Sequence, residues 1–246
     1  MDQGAAQELA HAIEAALGPL TEDHRAALLA VDRERFVRDV DRTFAWQNLA
    51  LPLDTSSAPP ARPVPDLVRE HGSWLGAALQ PEFAASGSTI SQPLMYMLAF
   101  RILELARGLR FLELGTGTGY GAALAAHVVA RNGGHVTSVD VDSGLIAAAR
   151  ARAAADGGIT FLHADGLQRP DLVAQHDRCW VTFSITDMPG ALLDALPEGG
   201  RMLAPIGSAP PSPQRYVLYT RHEGSVEEQE VATPVFFIPA RALQTN

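Results

Sequence analysis

The chain has 246 residues, enough for one domain with an appendage and a core that needs no staples. Its formal charge is −9 and it contains no lysine, which argues against nucleic acid as a main partner and excludes Schiff-base and P-loop lysine chemistry. The lone cysteine, Cys179, excludes an internal disulfide and a multi-cysteine metal site.

The eight histidines never fall at a zinc-like spacing with a third ligand nearby, so no metal is expected. The N-terminal stretch is amphipathic and not basic, unlike a signal peptide. No apolar run reaches the roughly 18 residues a membrane span needs. These readings predict a cytoplasmic protein with no membrane partner, a monomer or weak homodimer.

Residues 4–17 repeat apolar positions at helical spacing, and Thr21 is placed to cap a second helix to about Val31. Residues 32–48 read as a helix-turn-helix in outline. Five prolines between Pro52 and Pro65 forbid a regular element and predict a long loop, with a helical stretch over 65–80 after it. A helix over 92–106 is predicted to bury Leu94, Met97, Leu98, Ile102 and Leu105. Strands and helices then alternate. Strands are predicted at 110–114, 135–139, 159–163, 177–184 and 201–206, and helices at 121–131, 143–155 and 190–196. A hairpin turns at Glu223-Gly224-Ser225. The pattern predicts an α/β chain: a mostly parallel central sheet, Rossmann-like, with helices on both faces. To it are added a helical N-terminal extension and an inserted lid. We divide the chain at 88/89, with residues 1–88 on the acceptor side and 89–246 as the core.

The most informative run is FLELGTGTGYGAALAA, residues 111–126. An apolar strand carrying Glu113 ends in the turn Gly115-Thr116-Gly117-Thr118-Gly119, and an alanine-rich helix follows. Glycines let a backbone turn tightly and approach a ligand, as in nucleotide-binding βαβ units. Asp140 stands 25 residues after Gly115, and Asp165, followed by Gly166, another 25 on. An acid at the second strand end can take both ribose hydroxyls. One at the third can accept from an adenine amino group. Glu113 can hold the turn or a ligand amine. Each acid could instead only cap the next helix. The turn is G-x-G-x-G and need not hold a pyrophosphate, so a sulfonium ligand with an amino-acid tail fits better.

Five further matches come in order. They are ALLAVDRERFVRD, Thr89-Ile90-Ser91-Gln92-Pro93, Ala164-Asp165-Gly166, ALLDALPEGGRMLAPIG and the closing VFFIP. With the glycine turn they resemble the protein-L-isoaspartate O-methyltransferase family over roughly residues 26–44 and 87–239. The resemblance implies S-adenosyl-L-methionine as cofactor, S-adenosyl-L-homocysteine as product and a peptide or protein carboxylate as substrate. It implies that Ser91, with Thr89, is catalytic, and that Ser88, Ile90 and Phe183 contact the acceptor. For the cofactor it implies Glu113, Gly115, Thr116, Gly117, Gly119, Asp140, Val141, Asp165, Gly166 and Ser184.

Two departures stand on the acceptor side. The family passes from its FVP segment to TISQP through a short glycine-rich connection, where this chain makes a detour from Leu51 to Ser88. The family commonly has two alanines where Phe183 and Ser184 stand. Arg38 also replaces a usual proline. Divergent members of the family methylate an aspartate of a ribosomally made, cyclised peptide on the way to an aspartimide. The expectation is such a tailoring enzyme, with isoaspartyl protein repair and a small-molecule methyltransferase as the alternatives. Trp46, Trp74 and Phe83 are candidates for an apolar wall or for ordinary packing.

Overall fold

A computed structural model describes residues 2–53, 89–130, 132–210 and 212–241. The chain forms two compact units, Met1–Leu98 and Ala99–Asn246. The first therefore contains Thr89, Ile90 and Ser91. The proline-rich stretch from Asp54, the helix expected over 65–80, Trp74, Phe83 and Ser88 lie outside the described residues.

In the first unit, α1 (Gln3–Leu17) starts on Asp2, whose Oδ1 accepts from the Ala5 amide at 3.1 Å. It buries Ala6, Leu9, Ala10 and Ile13 and packs against α2 (Glu22–Ala30). Thr21 caps α2 by accepting from the His24 amide at 3.2 Å, the predicted role. Residues 32–48 are two short 3-10 helices, Arg33–Phe36 and Asp39–Phe44, not a pair of α-helices. Asp32 tightens the first by accepting from Glu34, and extended backbone at Val37 and Arg38 separates them. Arg38 sits at φ −66°, a value proline also takes, and its side chain pairs at 2.6 Å with the buried Asp41. β1 (Leu51–Pro52) then pairs antiparallel with β2 (Thr89–Ile90), Leu51 opposite Ile90 and Pro52 opposite Thr89.

α3 (Pro93–Ile102) is shorter than predicted and its buried face is only partly the expected one. Of the expected residues Met97 and Leu105 are buried, joined by Tyr96, Ala99, Phe100 and Leu103, whereas Leu94, Leu98 and Ile102 are only half-buried. The rings decide this. Phe100 meets Phe111 and Trp180 edge-on, at 5.9 and 6.3 Å between centroids. The helix stops where Glu104 takes φ 51° and Leu105 donates back to the Phe100 carbonyl at 2.8 Å.

The second unit is built on a seven-stranded sheet. Its strands are β3 (Arg110–Leu114), β4 (His135–Asp140), β5 (Ile159–His163), β6 (Arg178–Val181), β7 (Arg201–Ile206), β8 (Gln214–His222) and β9 (Ser225–Val235). The order is β5-β4-β3-β6-β7-β8-β9, the first four joints parallel and the last two antiparallel. β3, β6 and β7 are buried at every residue but the first, as strands covered on both faces must be. The flanking helices are α4 (Tyr120–Val129), α5 (Ser143–Arg152), α6 (Pro170–Val173) and α7 (Gly190–Asp194). α4 packs on β3 and β4 and α5 on β4 and β5. α4 is alanine-rich because nearly all its residues are buried.

The hairpin turns on Glu223 and Gly224, both at positive φ, with His222 opposite Ser225. Its strands run over nine and eleven residues. β9 is an edge strand, so Pro234 is tolerated there, and exposed Glu227, Glu228 and Glu230 discourage further pairing. No helix among the described residues is long and apolar enough to cross a membrane.

Candidate active site

The glycine turn leaves the carboxyl end of β3 in the middle of the sheet, where the strand order reverses. Two amides of the turn, Gly115 and Thr116, donate to the Val139 carbonyl of β4 at 2.8 and 3.2 Å. Gly115 has φ 102°, and a Cβ there would lie 2.1 Å from Thr182 Oγ1 and 3.0 Å from the Phe183 ring. Thr182 closes the other side by donating to the Leu114 and Gly115 carbonyls at 3.0 and 2.8 Å. Gly119 begins α4 against Ala149 of α5, 2.9 Å from where its Cβ would stand. Gly166 packs on Leu114 in the same manner. The glycines therefore serve close approach of chain to chain.

Of the two roles open to Glu113, the structure displays the first. Its carboxyl is 1 % exposed and turns inward, accepting at 2.6 Å from Ser138 Oγ. Ser138 Oγ lies 2.7 Å from Thr116 Oγ1, so a buried chain of polar groups ties β3 and β4 to the turn. Burial raises the Glu113 carboxyl, the Ser138 bond opposes this, the Asp140 charge adds to it, and the result is about 8.

Asp140 ends β4, half-exposed. Its two oxygens accept from the Gly117 amide at 3.1 Å and the Asp142 amide at 3.0 Å. Burial holds its carboxyl above the usual range, against those two backbone bonds. Asp165 ends β5 and caps the following 3-10 turn, Oδ1 accepting from the Leu167 amide at 3.0 Å. Capping does not use up either carboxylate, since each oxygen accepts twice. Val141 is half-exposed next to Asp140, its carbonyl bonded to His163 Nε2 at 3.1 Å. Ser184, after β6, is held by its backbone. Its amide donates to the Ile238 carbonyl at 2.7 Å and its own carbonyl accepts from Ala240 at 3.0 Å. Its Oγ is buried and makes no hydrogen bond among the described residues.

In the first unit Thr89 and Ile90 form β2, with Ile90 buried, and Ser91 follows half-exposed. The amide of Leu94, in the first turn of α3, donates at 2.9 Å to Asn48 Oδ1, a cap supplied from 46 residues upstream rather than by Ser91 or Gln92. Trp46 is half-buried and its Nε1 donates to Glu34 Oε1 at 2.7 Å.

A family model for Protein-L-isoaspartate(D-aspartate) O-methyltransferase (PCMT) matches residues 7–245. The chain belongs to the protein-L-isoaspartate(D-aspartate) O-methyltransferase family. A protein-L-isoaspartate O-methyltransferase of Hyperthermus butylicus is 31 % identical over 232 residues, covering 90 % of this chain and 83 % of the relative. Two solved structures share the fold. One, a protein-L-isoaspartate O-methyltransferase, aligns with TM-score 0.73 at 21 % identity, over 96 % of this chain and 66 % of its own. The other, from Plasmodium falciparum, is described as a protein-L-isoaspartate O-methyltransferase beta-aspartate methyltransferase (PCMT) in complex with S-adenosyl-L-homocysteine. It aligns with TM-score 0.71 at 18 % identity, over 98 % and 99 % of the two chains.

The family's enzymes depend on S-adenosyl-L-methionine, and this chain is one of them. The residues present fit that cofactor. Gly115, Gly117 and Gly119 present bare backbone while Thr116 and Thr118 are buried, Asp140 retains acceptor capacity for paired hydroxyls, and Asp165 retains it for an amino group. The unpartnered Ser184 Oγ is a buried polar atom at the same end of the sheet. Sequence reasoning missed Ser138, Thr182 and Asn48. For Ser138 a signal existed, two small polar residues between the valines of HVTSVD. The others act across long separations that no local pattern marks.

Proposed function

We propose that the chain methylates a carboxylate of an aspartyl or isoaspartyl residue in a peptide or protein. The observation that carries this reading is the unbroken Thr89–Pro93 signature in a chain whose donor turn and strand-end acids are all present. A carboxylate, with a reference pKa of about 4, is ionised at neutral pH and needs no base to act as nucleophile. When bound, S-adenosyl-L-methionine supplies a methyl group on a sulfonium centre: a carboxylate oxygen gains the carbon, and the broken C–S bond leaves its electron pair on sulfur as S-adenosyl-L-homocysteine. The chain's task is then alignment and exclusion of water. Ser91 orients the acceptor carboxylate, and Thr89 and Ile90 shape the wall beside it. Asp140 and Val141 hold the ribose side of the donor, and Asp165 and Gly166 its adenine side.

For the acceptor we favour a modified ribosomal peptide. Its aspartyl ester would be displaced by a backbone nitrogen, the amide proton leaving with methoxide as methanol, to give an aspartimide. Residues 54–88 in place of a short connection support this, as does Phe183 where the family commonly has alanine. The Phe183 ring packs beside Gly115 and narrows that side of the turn. Repair of isoaspartyl proteins is the competing reading, supported by the names of the relatives. The proposal includes a cytoplasmic monomer or weak homodimer without nucleic-acid or membrane partners, in keeping with the acidic, lysine-free composition.

Incubation with S-adenosyl-L-methionine tritiated at the methyl group decides among these readings. The acceptors are an L-isoaspartyl peptide, its α-aspartyl isomer and a cyclised, aspartate-containing peptide. Base-labile methanol from the cyclised peptide alone supports tailoring. Rapid ester formation on the isoaspartyl peptide supports repair and removes the tailoring reading. Only base-stable methylation removes carboxyl transfer altogether.

A further inference from the structure

We infer that Arg33 and Asn48 are positioning residues for Ser91, fixing its backbone through a buried carbonyl clamp and a helix cap. The inference rests on the reading of Ser91 as the residue that meets the acceptor. The Arg33 side chain is 0 % exposed. Its Nη1 donates to the carbonyls of Ala45 at 2.8 Å and Gln47 at 3.1 Å. Its Nη2 donates to those of Leu49 at 2.8 Å and Ser91 at 3.1 Å. Three alternate carbonyls of one short strip and the carbonyl of Ser91 thus converge on one planar fork. A lysine, a single point charge, reproduces no such geometry.

Ser91 is held on every side along the chain. Before it, Thr89 and Ile90 pair with Pro52 and Leu51. At Ser91 itself the clamp takes the carbonyl. Three residues on, Asn48 takes the Leu94 amide at 2.9 Å. The serine nevertheless remains half-exposed, so its backbone is pinned while the residue stays accessible to a ligand. A buried guanidinium is costly, and an apolar side chain of similar volume would fill the space. Gathering these carbonyls is what the charge accomplishes. The named contacts of the clamp all lie within residues 33–52 and 89–94.

The test compares Arg33→Lys, Asn48→Ala and the conservative Asn48→Asp, which retains the acceptor oxygen, with the unaltered chain. Three quantities are read: affinity for S-adenosyl-L-homocysteine, hydrogen-exchange protection of residues 89–94, and kcat on whichever acceptor the unaltered chain esterifies. Arg33→Lys and Asn48→Ala are expected to keep the affinity within about twofold. They lose protection and kcat by about tenfold to a hundredfold. Asn48→Asp restores both to within about threefold. Unchanged protection in Asn48→Ala, or lost protection with unchanged kcat, overturns the inference. If Arg33→Lys fails to fold, the two Asn48 variants decide. A Ser91→Ala variant with undiminished kcat overturns instead the role given to Ser91. If no acceptor is esterified, the proposed function fails and the protection measurement alone decides the clamp.

Discussion

Ser138 donates to Glu113 at 2.6 Å directly across the β3–β4 pair, and both side chains are buried. The same hydroxyl reaches Thr116 in the turn, so β4 governs the shape of a loop that belongs to β3. Replacing Ser138 by Ala leaves a buried carboxyl without its donor. We expect a loss of about 1–3 kcal/mol in stability, read from urea unfolding midpoints. An unchanged midpoint would show that the chain of polar groups is ornamental.

Glu113 makes stability depend on pH in an unusual direction. Its folded value, about 8, stands above its ordinary 4.5, because burial outweighs the Ser138 bond. Between those values the folded chain holds a proton that the unfolded chain has released. Stability from this group is therefore full below about pH 4.5 and declines as pH rises towards 8, by up to about 1.4 kcal/mol per pH unit. Asp140, also raised, adds in the same sense. Glu113→Gln should flatten the fall in melting temperature between pH 6 and 8 in the cofactor-free protein. A variant that keeps the full slope contradicts the assignment.

His176 works against acid. Its ring is buried, with Nδ1 bonded to the Leu172 carbonyl at 2.6 Å and Nε2 to Thr137 Oγ1 at 2.9 Å. Burial holds it below its ordinary 6.5, so it stays neutral when folded and protonates more readily when unfolded. Its contribution is present above about 6.5 and lost as pH falls through the lowered folded value. His176→Gln is expected to be less stable at pH 7.5 but to lose less on acidification to pH 5, as measured by calorimetry. Parallel curves for the two proteins would refute this.

Gly115 tolerates no side chain. Its φ of 102° disfavours any Cβ, and that atom would lie 2.1 Å from Thr182 Oγ1. Gly115→Ala should cost about 2–4 kcal/mol and abolish measurable S-adenosyl-L-homocysteine binding. Trimming Thr182 to Ala in addition relieves the clash but not the backbone conformation, so only part of the stability should return. Complete recovery would mean that crowding alone matters.

Asp140 holds the turn, and under the proposed function it also meets the donor. Asp140→Ala removes the acceptor for the Gly117 and Asp142 amides. Affinity for S-adenosyl-L-homocysteine should weaken by at least about tenfold, roughly 1.4 kcal/mol, with the circular dichroism spectrum retained. Equal affinity in a titration would remove Asp140 from the cofactor site.

Three strands were readable to the residue: Arg110–Leu114, Ile159–His163 and Arg201–Ile206. Each is a short apolar or β-branched run bounded by turn residues, and such runs carry their own limits. The α3 face was not readable, because Leu94, Leu98 and Ile102 keep helical spacing as well as the residues that are buried. The choice fell to the Phe100–Phe111–Trp180 contacts, which join residues far apart in sequence. Residues 32–48 misled for a related reason. Their charges suit helices, but the carbonyls of Ala45, Gln47 and Leu49 turn towards Arg33.

By itself the sequence determined the family, the parallel sheet, the glycine turn and which acids stand at the strand ends. These are properties of short segments, where local order and residue type suffice. Tertiary structure alone decided that Glu113 faces Ser138, that Thr182 forbids a side chain at Gly115, and that Arg33 and Asn48 hold the segment around Ser91. Those relations are set by sheet register and by hydrogen bonds over 25 to 68 residues of chain, distances at which no sequence pattern records who meets whom.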